Sequence, residues 1–336
     1  MERLSDYDYT LPESAIAQTP LADRTASKLL HLHRDTLSIE HRVFRKVPEI
    51  LRPGDLLILN DTRVSAIRVF GKKISGAAVE LLLLKEEGPG LFEALAKPGK
   101  RLQPGAQMIF GDLRAEVVEN RGEGRKLVRF EPQAGLRERL AEIGSVPLPP
   151  YIHAELSDGE RYQTVYGSTP GSAAAPTAGL HFTPELLKRV EARGVRIAHV
   201  TLDVGIDTFR PVQAEDLSQH VMHGERCSVP EATAEAVRAC TGRVVAVGTT
   251  AVRTLESFAT DHRLLASGSK RTDIFIRPGY EFRIVDGMFT NFHMPRTTML
   301  IMLSALVPRQ RLFEAYAEAL AGGYRFLSFG DSMLIL

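Results

Sequence analysis

Apolar residues fall along this chain in short runs whose spacing changes twice. Lys28–His33 and Leu37–Phe44 flank Arg34-Asp35-Thr36, the pattern of a hairpin. Pro53-Gly54-Asp55 marks a turn, and Leu56–Leu59 after it is a continuous apolar strand running into Asn60-Asp61-Thr62-Arg63. A polar cluster at the end of a buried strand is where open sheets place ligands. Between residues 64 and 132 the runs Val79–Lys85, Leu91–Ala96, Ala106–Phe110, Leu113–Glu119 and Lys126–Phe130 are separated by Gly-, Pro- and charge-rich turns. Evenly spaced short strands predict a small barrel or sandwich. Gly135–Ile143 reads as a short helix and the Pro-rich Val146–Ile152 as a linker.

From about residue 160 the pattern alternates. Helices are expected at Pro184–Arg193 (closed by Gly194), Pro230–Cys240, Ala251–Ala259, Thr297–Leu306 and Arg309–Ala321. Strands are expected at Val195–Val204, Arg243–Val247 and Ser332–Leu336, and Asp273–Ile276 and Glu281–Val285 flank the turn Arg277-Pro278-Gly279-Tyr280. Alternating strand and helix predicts a layered α/β main domain. The expected organisation is a discontinuous α/β domain, residues 1–63 and 151–336, with a β module at 64–150 inserted into it.

Composition narrows the function classes. The 336 residues carry 42 Lys plus Arg against 41 Asp plus Glu, so no overall field attracts nucleic acid and any RNA contact needs a local patch. Cys227 and Cys240 lack zinc-ligand spacing and suggest a reducing compartment. The polar start MERLSDYDYT is unlike a signal peptide, and the apolar run Met299–Val307 is too short to span a bilayer. A cytoplasmic protein without a membrane partner is expected.

Several segments have the residue types that chemistry needs. Ala175–Thr183, APTAGLHFT, packs Pro176, Thr177, Gly179, His181 and Thr183 into nine residues, with Thr183-Pro184 reading as N-cap and first helical position. Pro, Gly and small hydroxyls let a backbone approach a ligand, and His181 can move a proton near neutral pH. The other reading is a tight turn with a packed His. On the strand Val195–Val204, His199, Thr201 and Asp203 share one face, lining a pocket or facing water. His220, His223 and Glu225 are the one metal-site candidate, yet HExxH is missing and Gly224 argues against a continuing helix, so proton transfer or polar binding without metal is preferred. Val244–Gly248 followed by Thr249-Thr250 is a strand, a Gly turn and a helix start, where free N–H groups and Arg253 could bind a carboxylate or phosphate. Asn291 and His293 could bind a base edge. Lys97, Lys100 and Arg101 form a basic turn, with Arg121, Arg125, Lys126 and Arg129 nearby in sequence. GxGxxG, GxxxxGK[ST] and GxSxG are all missing, which counts against classical dinucleotide, P-loop and serine-hydrolase sites.

In collinear order the chain reads LPESAIAQTP (11–20), NDTRV (60–64), LPPYI (148–152), YQTVY (162–166), APTAGLHFT (175–183), TLDVGIDTFRPV (201–212), HxMHxE (220–225), AVGTTAVRTLES (246–257), TNFHMP (290–295) and YRFLSFGDSM (324–333). Together these resemble the S-adenosylmethionine:tRNA ribosyltransferase-isomerases of queuosine biosynthesis. The resemblance implies an α/β domain with an inserted β-barrel. It also implies S-adenosylmethionine as ribosyl donor and co-substrate, with no bound cofactor or metal. The implied acceptor is 7-aminomethyl-7-deazaguanine (preQ1) at the wobble position of tRNAs for Asp, Asn, His and Tyr, which share a G-U-N anticodon. The product would be epoxyqueuosine, with adenine and methionine released. His181, His220 and His223 become candidates for proton transfer with Glu225 as orienter. Asp61, Arg63, Pro176, Thr177, Gly179, Thr201, Asp203, Thr249, Thr250, Arg253, Asn291 and His293 become substrate-binding candidates, and Lys97, Lys100 and Arg101 tRNA-binding ones. The family pattern TLHVG-x-GTF is broken by Asp203 and Asp207. A metal-dependent hydrolase on His220, His223 and Glu225, or a non-catalytic RNA-binding protein, are the competing readings. A monomer is expected.

Overall fold

A computed structural model describes residues 2–122, 124–205, 212 and 214–336. Asp207 lies outside the described residues. The chain divides into two compact units, one of Met1–Thr62, Pro149–Thr169 and Ala175–Leu336, the other of Arg63–Leu148 and Pro170–Ala174.

The first unit is a nine-stranded sheet with helices packed on it. Four central strands, Arg196–Leu202, Leu56–Asn60, Val244–Val247 and Gly287–Asn291, lie side by side in that order and run parallel. The last three are buried at every position, which is why they read as unbroken apolar runs. Ser332–Ile335 runs antiparallel beside Gly287–Asn291, followed by Lys28–Leu32 and the edge strand Ile39–Val43. At the opposite edge Glu225–Val229 and Gly268–Thr272 add antiparallel strands. Leu57, Leu59, Val245, Val247 and Phe289 share a core with Phe44, Phe182, Leu186 and Val190. The helix Pro184–Glu191 starts where expected, with Thr183 Oγ1 accepting from the Leu186 N–H at 3.2 Å. The chain goes from Leu56–Asn60 to a strand on one side and returns to Val244–Val247 on the other. Their carboxyl ends therefore flank a crevice of the kind in which open α/β sheets bind ligands.

The second unit is a small antiparallel barrel. Its strands lie in the order Ile67–Lys73, Ala78–Gly88, Leu91–Lys97, Arg125–Glu131, Leu113–Gly122, Gln107–Phe110, and the last pairs back onto the first. Inward residues including Leu81, Phe92, Phe110, Val128 and Phe130 fill it, and the helix Leu136–Ile143 adds Leu136 and Leu140. Gly71 sits at the closing seam, where a Cβ would strike the Phe110 ring.

Three sequence expectations need correction. Ile67–Lys73 is a strand the apolar pattern did not reveal, because Phe70 is exposed and Gly71-Lys72-Lys73 breaks the alternation. The flanks Asp273–Ile276 and Glu281–Val285 are not strands; the strands lie outside them, at Gly268–Thr272 and Gly287–Asn291. The physical reason is Glu256, whose buried carboxylate accepts from the backbone N–H groups of Arg283, Ile284 and Val285 at 2.9–3.1 Å and so replaces a ladder. The strand expected to reach Val204 ends at Leu202. Among the described residues no helix is long and apolar enough to cross a membrane, and both cysteines are free thiols.

Candidate active site

The carboxyl edge of the parallel strands gathers motifs that are far apart in sequence. Asn60 Nδ2 donates to Thr250 Oγ1 and to the Leu202 carbonyl, each at 3.1 Å, tying together the ends of all three strands at the crevice. Thr201 Oγ1 donates to Asp61 Oδ1 at 2.6 Å, and Thr62 Oγ1 to Asp203 Oδ1 at 3.3 Å. Thr201 and Asp203 therefore hold polar partners at the sheet edge. Burial pushes the Asp203 carboxyl upward, and the nearby Glu225 and Asp61 charges add to this against the pull of Thr62 and Arg226. Gly248 turns at φ +89°, and Ala178 of the Pro176–His181 loop lies against it. Gly179 is required on that loop because a Cβ would collide with Tyr166 Oη. Tyr166 Oη is buried without a hydrogen-bond partner, and burial together with the Asp61 charge pushes its phenol up. Tyr166 lies in the YQTVY motif, whose residue types alone do not mark it as a site residue.

One cavity opens between His223, Glu225, Thr249, Thr250 and Arg253 on its polar side and Met222, Phe275, Ile276, Met299 and Met302 on its apolar side. The helix Thr249–Phe258 presents Thr249, Thr250 and Arg253 from its first turns. Glu225 and Arg253 form a buried ion pair with side chains 3% and 8% exposed. Glu225 Oε1 also accepts from the Gly205 N–H at 3.0 Å and lies 3.7 Å from His223 Nε2. Burial alone would raise the Glu225 carboxyl, but His223, Arg253 and Gly205 together hold it below its ordinary value, so it is ionised. Arg253 Nε is buried and has no hydrogen-bond partner among the described residues. His220 and His223 do not share a helix face: the short helix ends at Gln219, and His220 packs edge-on against Phe275 at 5.1 Å.

A second cavity is lined by residues that include Arg24, Arg161, Arg325, His181, Ser27 and Ser328. His181 Nδ1 lies 2.8 Å from Ser27 Oγ, while its Nε2 is buried without a hydrogen-bond partner. Burial, with the charges of Arg325 and Arg24, drives the imidazole down to about 3 despite the counter-effect of Asn291, so His181 is neutral at physiological pH. The guanidiniums are spent on backbone carbonyls: Arg24 donates to Gln163 at 2.8 Å and Glu160 at 3.0 Å, Arg161 to Leu21 and Ala22, and Arg325 to Thr19 at 3.1 Å. Among the described residues no carboxylate lines the cavity. Burial and the Arg161 charge lower the Arg24 guanidinium from its ordinary value. Asp158 and Glu160 act on Arg24 in the opposite sense, and the three guanidiniums, positioned by carbonyls, are of the residue type that binds anions. None of the three arginines was singled out from sequence, although YRFLSFGDSM contains one.

Other candidates fall elsewhere. Asn291 reaches His181 and donates to the Leu327 and Ser328 carbonyls at 2.8 and 3.3 Å. His293 lines neither cavity; its Nε2 lies 2.7 Å from Thr290 Oγ1, its backbone N–H donates to Tyr316 Oη, and burial lowers it to about 3. Arg63 belongs to the barrel unit. Lys97, Lys100 and Arg101 are exposed around the turn Gly99–Arg101 of the barrel. Of the neighbouring charges, Arg121 pairs with Glu87, Arg125 pairs with Glu93, Lys126 is buried and Arg129 is exposed. Among the described residues His220, His223 and Glu225 do not bring three ligand atoms around one point; His31, His33 and Glu40 do.

The queuosine biosynthesis protein family model matches residues 4–335. A Symbiobacterium thermophilum S-adenosylmethionine:tRNA ribosyltransferase-isomerase is 52% identical, covering 99% of this chain and 100% of its own. The chain belongs to this ribosyltransferase-isomerase family. A Desulfitobacterium hafniense member is 49% identical over the same shares. The crystal structure of S-adenosylmethionine tRNA ribosyltransferase from Thermotoga maritima superposes with a TM-score of 0.56 at 36% identity, covering 98% of this chain and all of that one. The family is enzymatic and works in queuosine biosynthesis, and its layered α/β fold with an inserted barrel is the one described above.

Proposed function

We propose that this chain transfers and isomerises the ribosyl moiety of S-adenosylmethionine onto the aminomethyl group of preQ1 at the wobble position of tRNA. Epoxyqueuosine forms in the RNA, and adenine and methionine leave. One observation supports the reading within the family: Asn60, Asp61, Ala178, Thr201, Leu202 and Thr250, from motifs far apart in sequence, meet at the carboxyl ends of parallel strands, beside the cavity lined by His223, Glu225 and Arg253.

In this reading the donor occupies the cavity bounded by Glu225 and Arg253. Its wall of methionine, isoleucine and phenylalanine side chains suits the apolar part of the donor, and Arg253 Nε with the helix N–H groups suits its carboxylate. The sulfonium acidifies the C5′ hydrogens, so a modest base can remove one. His223, half-exposed and facing an ionised Glu225, is the proton acceptor, and Glu225 orients it and steadies the imidazolium. The resulting carbanion expels adenine, and the acceptor amine attacks the unsaturated sulfonium. The arginine cavity takes an RNA phosphate, with neutral His181 as a hydrogen-bond partner. The turn bearing Lys97, Lys100 and Arg101 adds phosphate contacts. In this reading the tRNAs are those with a G-U-N anticodon and the enzyme acts as a monomer in the cytoplasm, a compartment that suits its free thiols.

The test is to incubate the protein with S-adenosylmethionine and preQ1-containing tRNA, then analyse the digested nucleosides by mass spectrometry. Epoxyqueuosine with equimolar adenine and methionine is expected. A methylated base, or tRNA bound without consumption of the donor, would overturn the reading.

A further inference from the structure

The edge hairpin of the large sheet holds a cluster that the ribosyl-transfer reading does not use. Ser27, just before the strand Lys28–Leu32, borders the arginine cavity, whereas His31 and His33 lie at that strand's other end. Residues two apart on an extended chain point to the same side, and His31 pairs directly across the ladder with Glu40. Two imidazoles and one carboxylate thus stand on one face of two adjacent strands.

Their atoms are close and uncommitted. The rings of His31 and His33 stack with centroids 3.8 Å apart. Both Nε2 atoms are buried, and neither has a hydrogen-bond partner. His33 Nε2 lies 3.4 Å from Glu40 Oε1, and one ligand atom from each of the three residues falls within 4.8 Å of the others. Donors bonded at about 2.1 Å to a tetrahedral ion sit about 3.4 Å apart, so the His33–Glu40 spacing already fits and the rest needs only a small closure. Glu40 Oε2 accepts from Arg42 Nε at 2.8 Å, which leaves Oε1 for an ion and fixes the carboxylate. The turn is braced as well: the His33 N–H donates to the Ser38 carbonyl at 3.0 Å, and the Leu37 N–H to the His33 carbonyl at 3.0 Å. Arg42 and Arg243 are the cations that weigh against an added positive charge here.

We propose that His31, His33 and Glu40 bind one divalent transition-metal ion of the zinc class through two imidazole nitrogens and one carboxylate oxygen. Two nitrogen donors favour such an ion over magnesium or calcium, which prefer all-oxygen sites. Glu40 is 42% exposed and His33 27%, so the fourth position is open to water. The ion would clip an edge strand to its neighbour at the end of the sheet remote from the arginine cavity, and so act on stability rather than on ribosyl transfer.

The test uses untagged full-length protein freed of metal by chelation. Cobalt and zinc are titrated separately, with stoichiometry read by calorimetry and coordination by the visible cobalt spectrum. One equivalent is expected, with intense four-coordinate cobalt bands, a rise in Tm, and no displacement by excess magnesium. His33→Ala and Glu40→Gln, both on partly exposed residues, keep the fold readable by circular dichroism. Each is expected to weaken zinc binding by about 100-fold or more, while His223→Asn leaves it unchanged. Absence of a tight equivalent in the wild type would overturn the proposal, as would binding undiminished in both hairpin variants or lost in His223→Asn.

Discussion

The two cavities at the sheet edge each hold a histidine and arginine, yet their electrostatics are opposite. In one, Arg253 is matched by a buried carboxylate, Glu225, which is held ionised beside His223. In the other, Arg24, Arg161 and Arg325 face a cavity that no carboxylate lines among the described residues, and burial with the charges of Arg325 and Arg24 keeps His181 neutral. The same residue types serve different ends because the local charge balance differs. An imidazole beside a fixed carboxylate is suited to take a proton, whereas an imidazole among cations can hydrogen-bond but holds a proton poorly. Guanidiniums gathered round one cavity, in turn, suit an anion from outside.

That contrast can be broken at several points. The largest effect is expected from His223→Asn, which should lower kcat about 100-fold or more with little change in the KM for tRNA; retention of most turnover would remove His223 as proton acceptor. Arg253→Met strands the Glu225 carboxylate and should cost about 3–5 kcal/mol in chemical denaturation, whereas a loss near zero would show that the pair is not desolvated. Gly179→Ala forces the loop off Tyr166 and should cost about 1–3 kcal/mol. Arg325→Ala should raise the KM for tRNA about tenfold and reduce the salt slope of RNA binding by about 1. Neutralising Lys97, Lys100 and Arg101 should also flatten the slope, and an unchanged slope would remove them from the RNA footprint.

The smallest effect is on acid stability. His181 has a folded value of about 3, below its ordinary value of 6.5, so the unfolded chain takes up a proton first as pH falls. Its contribution is complete above 6.5 and is lost progressively as the pH falls from there toward 3. His181→Asn should therefore flatten the stability–pH slope in that window by about one proton. An unaltered slope would mean that His181 is not held neutral.

Local signals carried most of the fold. Gly194, Thr183-Pro184 and the run VVAV fixed element ends because capping and full burial leave marks on neighbouring residues. Long-range satisfaction did not: nothing near Arg283–Val285 reveals that Glu256 serves their N–H groups. For the site, the motif loops were legible through their clustered Gly, Pro and hydroxyl residues. Arg24, Arg161 and Arg325 were not, because each is an ordinary surface residue type in its own segment and only folding brings them round one cavity. His293 misled in the opposite way, since a motif position gave no hint that its ring is satisfied by Thr290.

The division of labour between the cavities is tested most directly by a substrate-specific kinetic split. Steady-state rates would be measured for Arg325→Ala and Thr250→Val, varying donor and preQ1-tRNA in turn with the other saturating. Arg325→Ala is expected to raise the KM for tRNA and leave that for S-adenosylmethionine unchanged, and Thr250→Val is expected to do the reverse. A rise in the donor KM in Arg325→Ala, with tRNA unaffected, would contradict the assignment and place the donor's carboxylate among the arginines.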